Sequence, residues 1–208
     1  GLAALQLFES TNEEGIEIVN RVVFLGLLQA CASLGALEQG QVLHNGIIEG
    51  GLELDLVVCN TLLDMYAKMG SLNDAQAVFD GIKSKDEVSW SSMIAGYAQQ
   101  GNWATSLLLY EKMKGTFVKP DGITFTSILT ACCHGGLVEK GIDYLESMSR
   151  DYSLCPEIGH YSTVLDLLGR AGDFVRVRDL LSSMPMYPNI AMWLGLLGAC
   201  QMHGNVEL

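Results

Sequence analysis

Apolar and polar positions repeat along this chain with a long period. Glycines at 35, 70, 101, 136, 172 and 204 stand 35, 31, 35, 36 and 32 residues apart, and the residues around them align too. Counting fourteen residues back from each glycine gives units that begin at Arg21, Leu56, Glu87, Gly122, Ile158 and Ile190. Position 4 of the units is Phe24, Cys59, Trp90, Phe125, Tyr161 and Trp193. Positions 7 and 8 are Leu27-Leu28, Leu62-Leu63, Met93-Ile94, Ile128-Leu129, Val164-Leu165 and Leu196-Leu197. This 4-7-8-11 spacing predicts an amphipathic helix. The glycine at position 15 suits a left-handed helix stop, and an apolar residue at 17 (Leu37, Leu72, Trp103, Val138, Phe174, Val206) opens a second stripe. That stripe runs through mostly small residues at position 20 and through Ile47, Ile82, Met113, Met148 and Met184 at position 27. Each unit is predicted to be a helical hairpin whose small residues at position 20 let its two helices approach.

A hairpin of about 34 residues cannot hide both apolar faces alone, so consecutive hairpins are expected to stack. The predicted class is all-α, an α-solenoid of helix-turn-helix hairpins forming a right-handed superhelix with one concave groove. The boundaries are 21–55, 56–86, 87–121, 122–157 and 158–189. Residues 1–20 are expected to be the second helix of a truncated preceding unit, with Leu7 and Phe8 as its core pair. Residues 190–208 supply a first helix and turn without a partner helix.

Composition narrows the function classes. The 208 residues are 49% hydrophobic and 17% charged, with mean hydropathy +0.26, which argues against disorder. Twelve bases against 24 acids give a net charge of −12, the wrong sign for a generic polyanion binder. No apolar run approaches the roughly 18 residues that span a bilayer, so a soluble protein with no membrane partner is expected. Six cysteines in this length do not make a disulfide scaffold, and no Asn-x-Ser/Thr acceptor occurs. Glu9, Glu13, Glu14 and Glu17 precede the first base, Arg21, the opposite of a transit peptide, and the chain starts at Gly1. It is expected to be a segment of a longer or processed protein, without the targeting segment.

Two repeat families share this length. The tetratricopeptide repeat wants Gly or Ala at position 8 and Ala at 27, whereas this chain has Leu or Ile at 8 and Ile or Met at 27. Val88-Ser-Trp-Ser-Ser-Met-Ile-Ala-Gly-Tyr97, Asn60-Thr-Leu-Leu-Asp-Met-Tyr-Ala-Lys-Met-Gly70 and Val118-Lys-Pro-Asp-Gly-Ile-Thr-Phe125 resemble pentatricopeptide repeats (PPR). Tyr161-Ser-Thr-Val-Leu-Asp-Leu-Leu-Gly-Arg-Ala-Gly172 and Trp193-Leu-Gly-Leu-Leu-Gly-Ala-Cys-Gln-Met-His-Gly-Asn-Val-Glu207 resemble the last S repeat and the start of the E motif in the plant PLS subfamily. The unit lengths match an L, S, P, L, S order. The resemblance implies a non-catalytic, sequence-specific binder of single-stranded RNA in a mitochondrion or chloroplast, recognising sites for C-to-U editing. It also implies MORF-type accessory proteins and a DYW-type deaminase, in trans or on a C-terminus, as partners. DNA is not expected.

In this family one base is read per repeat, by position 5 and the last residue of the unit. Carried over, the pairs are Leu25/Asp55, Asn60/Asp86, Ser91/Asp121, Thr126/Glu157 and Ser162/Asn189. A carboxylate only accepts hydrogen bonds, which favours a base with a ring N–H; Asn can also donate. The family's pattern makes Asn60/Asp86 a uracil reader, Ser91/Asp121 a guanine reader and Ser162/Asn189 an adenine reader. Leu25 cannot hydrogen-bond, and Glu157 departs from the usual Asp or Asn. The expected preference is 5′-N-U-G-N-A-3′. Position 2 would clamp base faces through Val22, Val57, Val88 and Ile123, with Gly159 breaking the row. The alternative is that these residues merely pack against the next hairpin. First helices and their turns carry Arg21, Lys68 and Arg170 against Asp64, Glu87 and Asp166, so the acidic excess lies elsewhere. Lys68 and Arg170, at position 13, would contact phosphates.

Other chemistry finds no support. Cys31, Cys132 and Cys200 share position 11 with Tyr66 and Tyr97 and read as core fillers, so no metal or other cofactor is expected. No His-x-Glu, C-x-x-C, phosphate-loop or nucleophile-elbow motif occurs, which leaves no candidate catalytic residue. A protein–protein scaffold that kept the repeat without reading RNA is the competing reading; the acidity, Leu25 and Gly159 favour it.

Overall fold

The computed structural model describes residues 21–204; the expectations for residues 1–20 and for Val206 fall outside these. All elements among the described residues are helices: α1 (Arg21–Leu34), α2 (Leu37–Glu49), α3 (Leu56–Lys68), α4 (Leu72–Gly81), α5 (Glu87–Gln99), α6 (Trp103–Lys114), α7 (Gly122–Gly135), α8 (Val138–Tyr152), α9 (Ile158–Ala171), α10 (Phe174–Ser183) and α11 (Ile190–His203). None is long and apolar enough to cross a membrane.

The turn inside each hairpin has one geometry throughout. The six comb glycines have φ between +63° and +75°, a conformation an L side chain disfavours. The residue after each of the first five sends its N–H back to the carbonyl of position 11: Ala36 to Cys31, Ser71 to Tyr66, Asn102 to Tyr97, Leu137 to Cys132 and Asp173 to Leu168, at 2.9–3.1 Å. This satisfies carbonyls left bare at the helix end and reverses the chain in two residues.

The described residues divide into two compact units, one up to Gly96 and one from Tyr97 onward. In the first, α1 packs on α2 and α3, and α3 packs on α4. In the second, α7 packs on α6, α8 and α9, and α9 packs on α8, α10 and α11. Each unit is therefore a stack of hairpins in which first helices lie side by side. Position 8 (Leu28, Leu63, Ile94, Leu129, Leu165) is at most 1% exposed, and Cys31 and Cys132 are fully buried beside it. Leu197 holds the same place on α11 at 63%, with no later helix among the described residues to cover it.

The small residues at position 20 work differently from the expectation. A Cβ on Gly40 would lie 2.7 Å from the Met65 side chain, and one on Gly141 2.5 Å from Leu167 Cδ2. Met65 and Leu167 sit at position 10 of the following first helix. The missing side chain thus makes room for the next hairpin more than for the helix's own partner, though Cys132 Cβ also lies 3.6 Å from Gly141. First helices meet closely too: a Cβ on Gly169 would stand 2.9 Å from Ala199 Cβ. Gly169→Ala should therefore lower the unfolding midpoint, because overpacking costs about 1–3 kcal/mol against about 1 kcal/mol of gained helix propensity. Gly198→Ala, on the same stack with open space around it, should raise it; thermal unfolding of the two variants checks both signs.

Candidate nucleic-acid interface

Each first helix starts at the residue after a unit's last position, so that last residue becomes its N-cap. Asp55 accepts from the Val57 and Val58 N–H groups at 3.0 and 3.1 Å, Asp86 from Ser89 at 2.9 Å, Asp121 from Thr124 at 2.8 Å and Asn189 from Met192 at 2.9 Å. The sequence reading gave these residues a base-reading role only. Their position immediately before an apolar helical stripe was the available signal for the cap.

The cap uses one oxygen and leaves the other. At Asp86 and Asp121 the bonds from Asn60, Ser89 and Thr124 fall on Oδ1, the Val88 N–H also reaches the Asp86 carboxylate, and Oδ2 is the less engaged acceptor. At Asp55 it is not, because Arg21 Nε sits 2.9 Å from Oδ2. At Asn189 the Oδ1 caps, which leaves the amide Nδ2 as a donor.

The residues at position 5 fall into distinct surroundings. Asn60 is buried, and its Nδ2 donates to Asp86 Oδ1 at 3.0 Å while its Oδ1 faces Ser89 Oγ at 2.7 Å. Burial pushes the Asp86 carboxyl up, but hydrogen bonds from Ser89 and Asn60 outweigh it and hold the group below the usual range. Ser91, also buried, lies 3.3 Å from the Val88 carbonyl. Thr126 is hydrogen-bonded to the Gly122 carbonyl (3.0 Å) and His160 Nε2 (3.2 Å), with no bond to Glu157. Ser162 lines a cavity of about 330 Å³ with Cys133, Asp166, Arg170, Ala191 and Gly195, the last two too small to close it. Leu25 is half-buried. Ser89 and His160, both at position 3 and both buried, are polar contributors that the sequence reading passed over; their place three residues after a cap was the signal.

Position 2 projects outward. Val22, Val57, Val88 and Ile123 are 46–74% exposed, too open to be filling the joint between hairpins. They stand beside the cap residues, while Gly159 contributes no side chain there. Lys68 and Arg170 are each paired with the carboxylate one turn earlier, Lys68 Nζ to Asp64 Oδ2 at 2.7 Å and Arg170 Nε to Asp166 Oδ2 at 2.9 Å. Both stay more than half exposed, and Arg170 keeps its terminal nitrogens for another acceptor. Burial pushes the Cys132 thiol up to about 12, so it stays protonated, and no cluster of metal-ligating side chains occurs among the described residues. A larger cleft of about 740 Å³, between α8 and α10, has an apolar floor of Leu145, Tyr161, Val164 and Leu168 and a rim with Glu146, Arg150, Arg176 and Asp179, and touches none of these residues.

Family models described as PPR repeat family, PPR repeat and pentatricopeptide repeat domain match residues 85–134, 123–152 with 159–187, and 42–89. The chain belongs to the pentatricopeptide repeat family. Among its Arabidopsis thaliana relatives are pentatricopeptide repeat-containing protein At2g22410, mitochondrial (38% identical, 100% of this chain, 30% of the relative), and ELI1, chloroplastic (40%, 99% and 33%). CRR2, chloroplastic, is 42% identical over 91% of this chain and 29% of its own length. The PPR chain thus spans about a third of these relatives. Its fold matches maize PPR10 (TM-score 0.73, 22% identity, 89% of this chain and 28% of that one) and PPR10 in complex with an 18-nt psaJ RNA element (0.82, 20%, 97% and 30%).

Because the folded Asp86 carboxyl titrates below its ordinary value of 3.8, its contribution to stability is present above about pH 4 and is lost as pH falls through the lowered value. Asp86→Asn should be less stable than wild type in urea titrations at neutral pH, and the gap should close towards about pH 2. A gap of the same size at both pH values would show that the charge is not what this cluster uses.

Proposed function

We propose that this PPR chain is a sequence-specific recognition module for single-stranded RNA in plant organelles. The observation that carries it is the Asn60–Asp86 pair: a spare amide hydrogen beside the less engaged carboxylate oxygen complements the adjacent C=O and N–H of uracil or guanine. Family membership supports the reading, as do relatives named mitochondrial or chloroplastic and the fold match to an RNA-bound protein. By resemblance Asn60/Asp86 selects uracil, Ser91/Asp121 guanine and Ser162/Asn189 adenine, for a preference 5′-N-U-G-N-A-3′. Leu25/Asp55 adds little, since Arg21 occupies the free Asp55 oxygen, and Thr126/Glu157 adds little because Thr126 is held by His160 instead. Val22, Val57, Val88 and Ile123 clamp base faces, and Lys68 and Arg170 share phosphates with their own carboxylates.

Resemblance to the PLS subfamily and the E motif extends this to C-to-U editing sites. The chain then supplies recognition, while a DYW-type deaminase and MORF-type proteins act from elsewhere. The net charge of −12 and the paired state of Lys68 and Arg170 favour the second reading, a protein-binding scaffold.

Titration with labelled single-stranded N-U-G-N-A RNA against a scrambled control separates the two. The RNA module should prefer its sequence and bind less tightly at ~150 mM salt than at low salt. Asn60→Ser should move the second base from U towards G in a binding selection; an unchanged base there would refute the Asn60 assignment, and no RNA binding at all would favour the scaffold.

A further inference from the structure

We propose that Ser89, the third residue of its first helix, is a positioning residue for Asn60, the base-reading side chain of the hairpin before it. This rests on the RNA-reading proposal above and adds a third specificity residue to the Asn60/Asp86 pair.

The Asn60 amide could in principle face either way about a soft terminal torsion. Asp86 only accepts, which turns Nδ2 towards it. The Ser89 hydroxyl lies 2.7 Å from Asn60 Oδ1 and 2.9 Å from Asp86 Oδ1, so its one hydrogen is shared between the two oxygens and ties the amide oxygen to the cap. Ser89 is itself immobile: it is fully buried, its N–H is bonded to Asp86 Oδ1 and its Oγ lies 3.3 Å from the Asp86 N–H. With both ends of the amide held, the spare Nδ2 hydrogen and Asp86 Oδ2 form a fixed donor–acceptor edge. Without Ser89 the amide can swing, and the edge loses its order.

His160 repeats the arrangement with other chemistry. Its Nδ1 lies 2.9 Å from the Glu157 N–H and must accept, so Nε2 carries the proton. That proton lies between the Gly122 carbonyl at 2.9 Å and Thr126 Oγ1 at 3.2 Å. Thr126 gives its own hydrogen to Gly122, so its hydroxyl can only accept from a ligand. Thr124, after Ser91, is engaged with Asp121 Oδ1 instead; the third position is Val58 after Leu25 and Met192 after Ser162. Neither can orient a polar reader, so Ser162 discriminates less sharply than Asn60.

The test is a competition titration of the 208-residue chain with RNAs differing only at the base opposite Asn60. Wild type, Ser89→Ala and Ser89→Thr are compared in Asn60 and Asn60→Ser backgrounds, with a melting curve for each. Ser89→Ala should cut the preference for U over C about fivefold, the scale of one lost hydrogen bond, with affinity for mismatched RNA unchanged. Ser89→Thr should keep the preference, and in the Asn60→Ser background Ser89→Ala should no longer alter U-over-C discrimination. Where Ser89→Ala does not fold, Ser89→Cys keeps the volume, weakens the donor and should still reduce the preference. Full U preference in Ser89→Ala or Ser89→Cys, equal loss for all four bases, or no rescue by Thr would each overturn the positioning role while leaving the RNA reading intact. A wild type with no preference at that base would instead sink the reading itself.

Discussion

The rest of the structure depends on the packing of each first helix against the hairpin that precedes it. A single hairpin exposes two apolar faces, and burying them needs a neighbour. Met65 filling the gap at Gly40 and Leu167 filling the gap at Gly141 are the local form of that requirement. At these two joints a large residue at position 10 of one hairpin fills the space left by glycine at position 20 of the hairpin before it. Within each unit this packing sets the register between neighbouring first helices, and so fixes how the residues at their N-termini stand to one another.

The residues at these N-termini are ones the fold already needs. A helix start leaves N–H groups without partners, and Asp55, Asp86, Asp121 and Asn189 satisfy them with one oxygen each. The second oxygen of Asp86 and of Asp121 is the less engaged one, at no additional cost in buried polar groups. In the proposed RNA reading, stability and recognition would share the same residues, and a substitution at one of them would move both quantities. Separating them requires a variant such as Asn60→Ser, which keeps the cap and alters only the displayed edge.

Electrostatics sets a limit on how these residues can work. First helices carry as many acids as bases, and Lys68 and Arg170 already share their charge with Asp64 and Asp166. The molecule at −12 cannot rely on long-range attraction to a polyanion. The proposed reading therefore depends on short-range complementarity of donor and acceptor; Val57, Val88 and Ile123 present exposed aliphatic groups. An interface of this kind gains specificity from geometry more than affinity from charge.

Helix positions, hairpin turns and buried columns were legible in the sequence because each is set by residues within a few positions of one another. A glycine fourteen residues into a unit forces the turn wherever it occurs, and Leu or Ile at position 8 turns inward on any such helix. Some assignments misled at this range. The small residues at position 20 read as a contact inside the hairpin, yet Gly40 and Gly141 serve mainly the next one, which is a packing fact between residues about 25 apart. The exposed position-2 residues read equally well as packing groups, and only their outward direction in the fold decides against that. The cap role of Asp86 was locally visible, but its link to Asn60, and the hold of Ser89 and His160 on the preceding readers, were not. Asn60 and Ser89 are 29 residues apart, and Thr126 and His160 are 34 apart. Sequence alone determined what each helix is; the tertiary structure decided which polar groups face each other across the joints, because hydrogen bonds depend on distance and direction that periodicity does not carry.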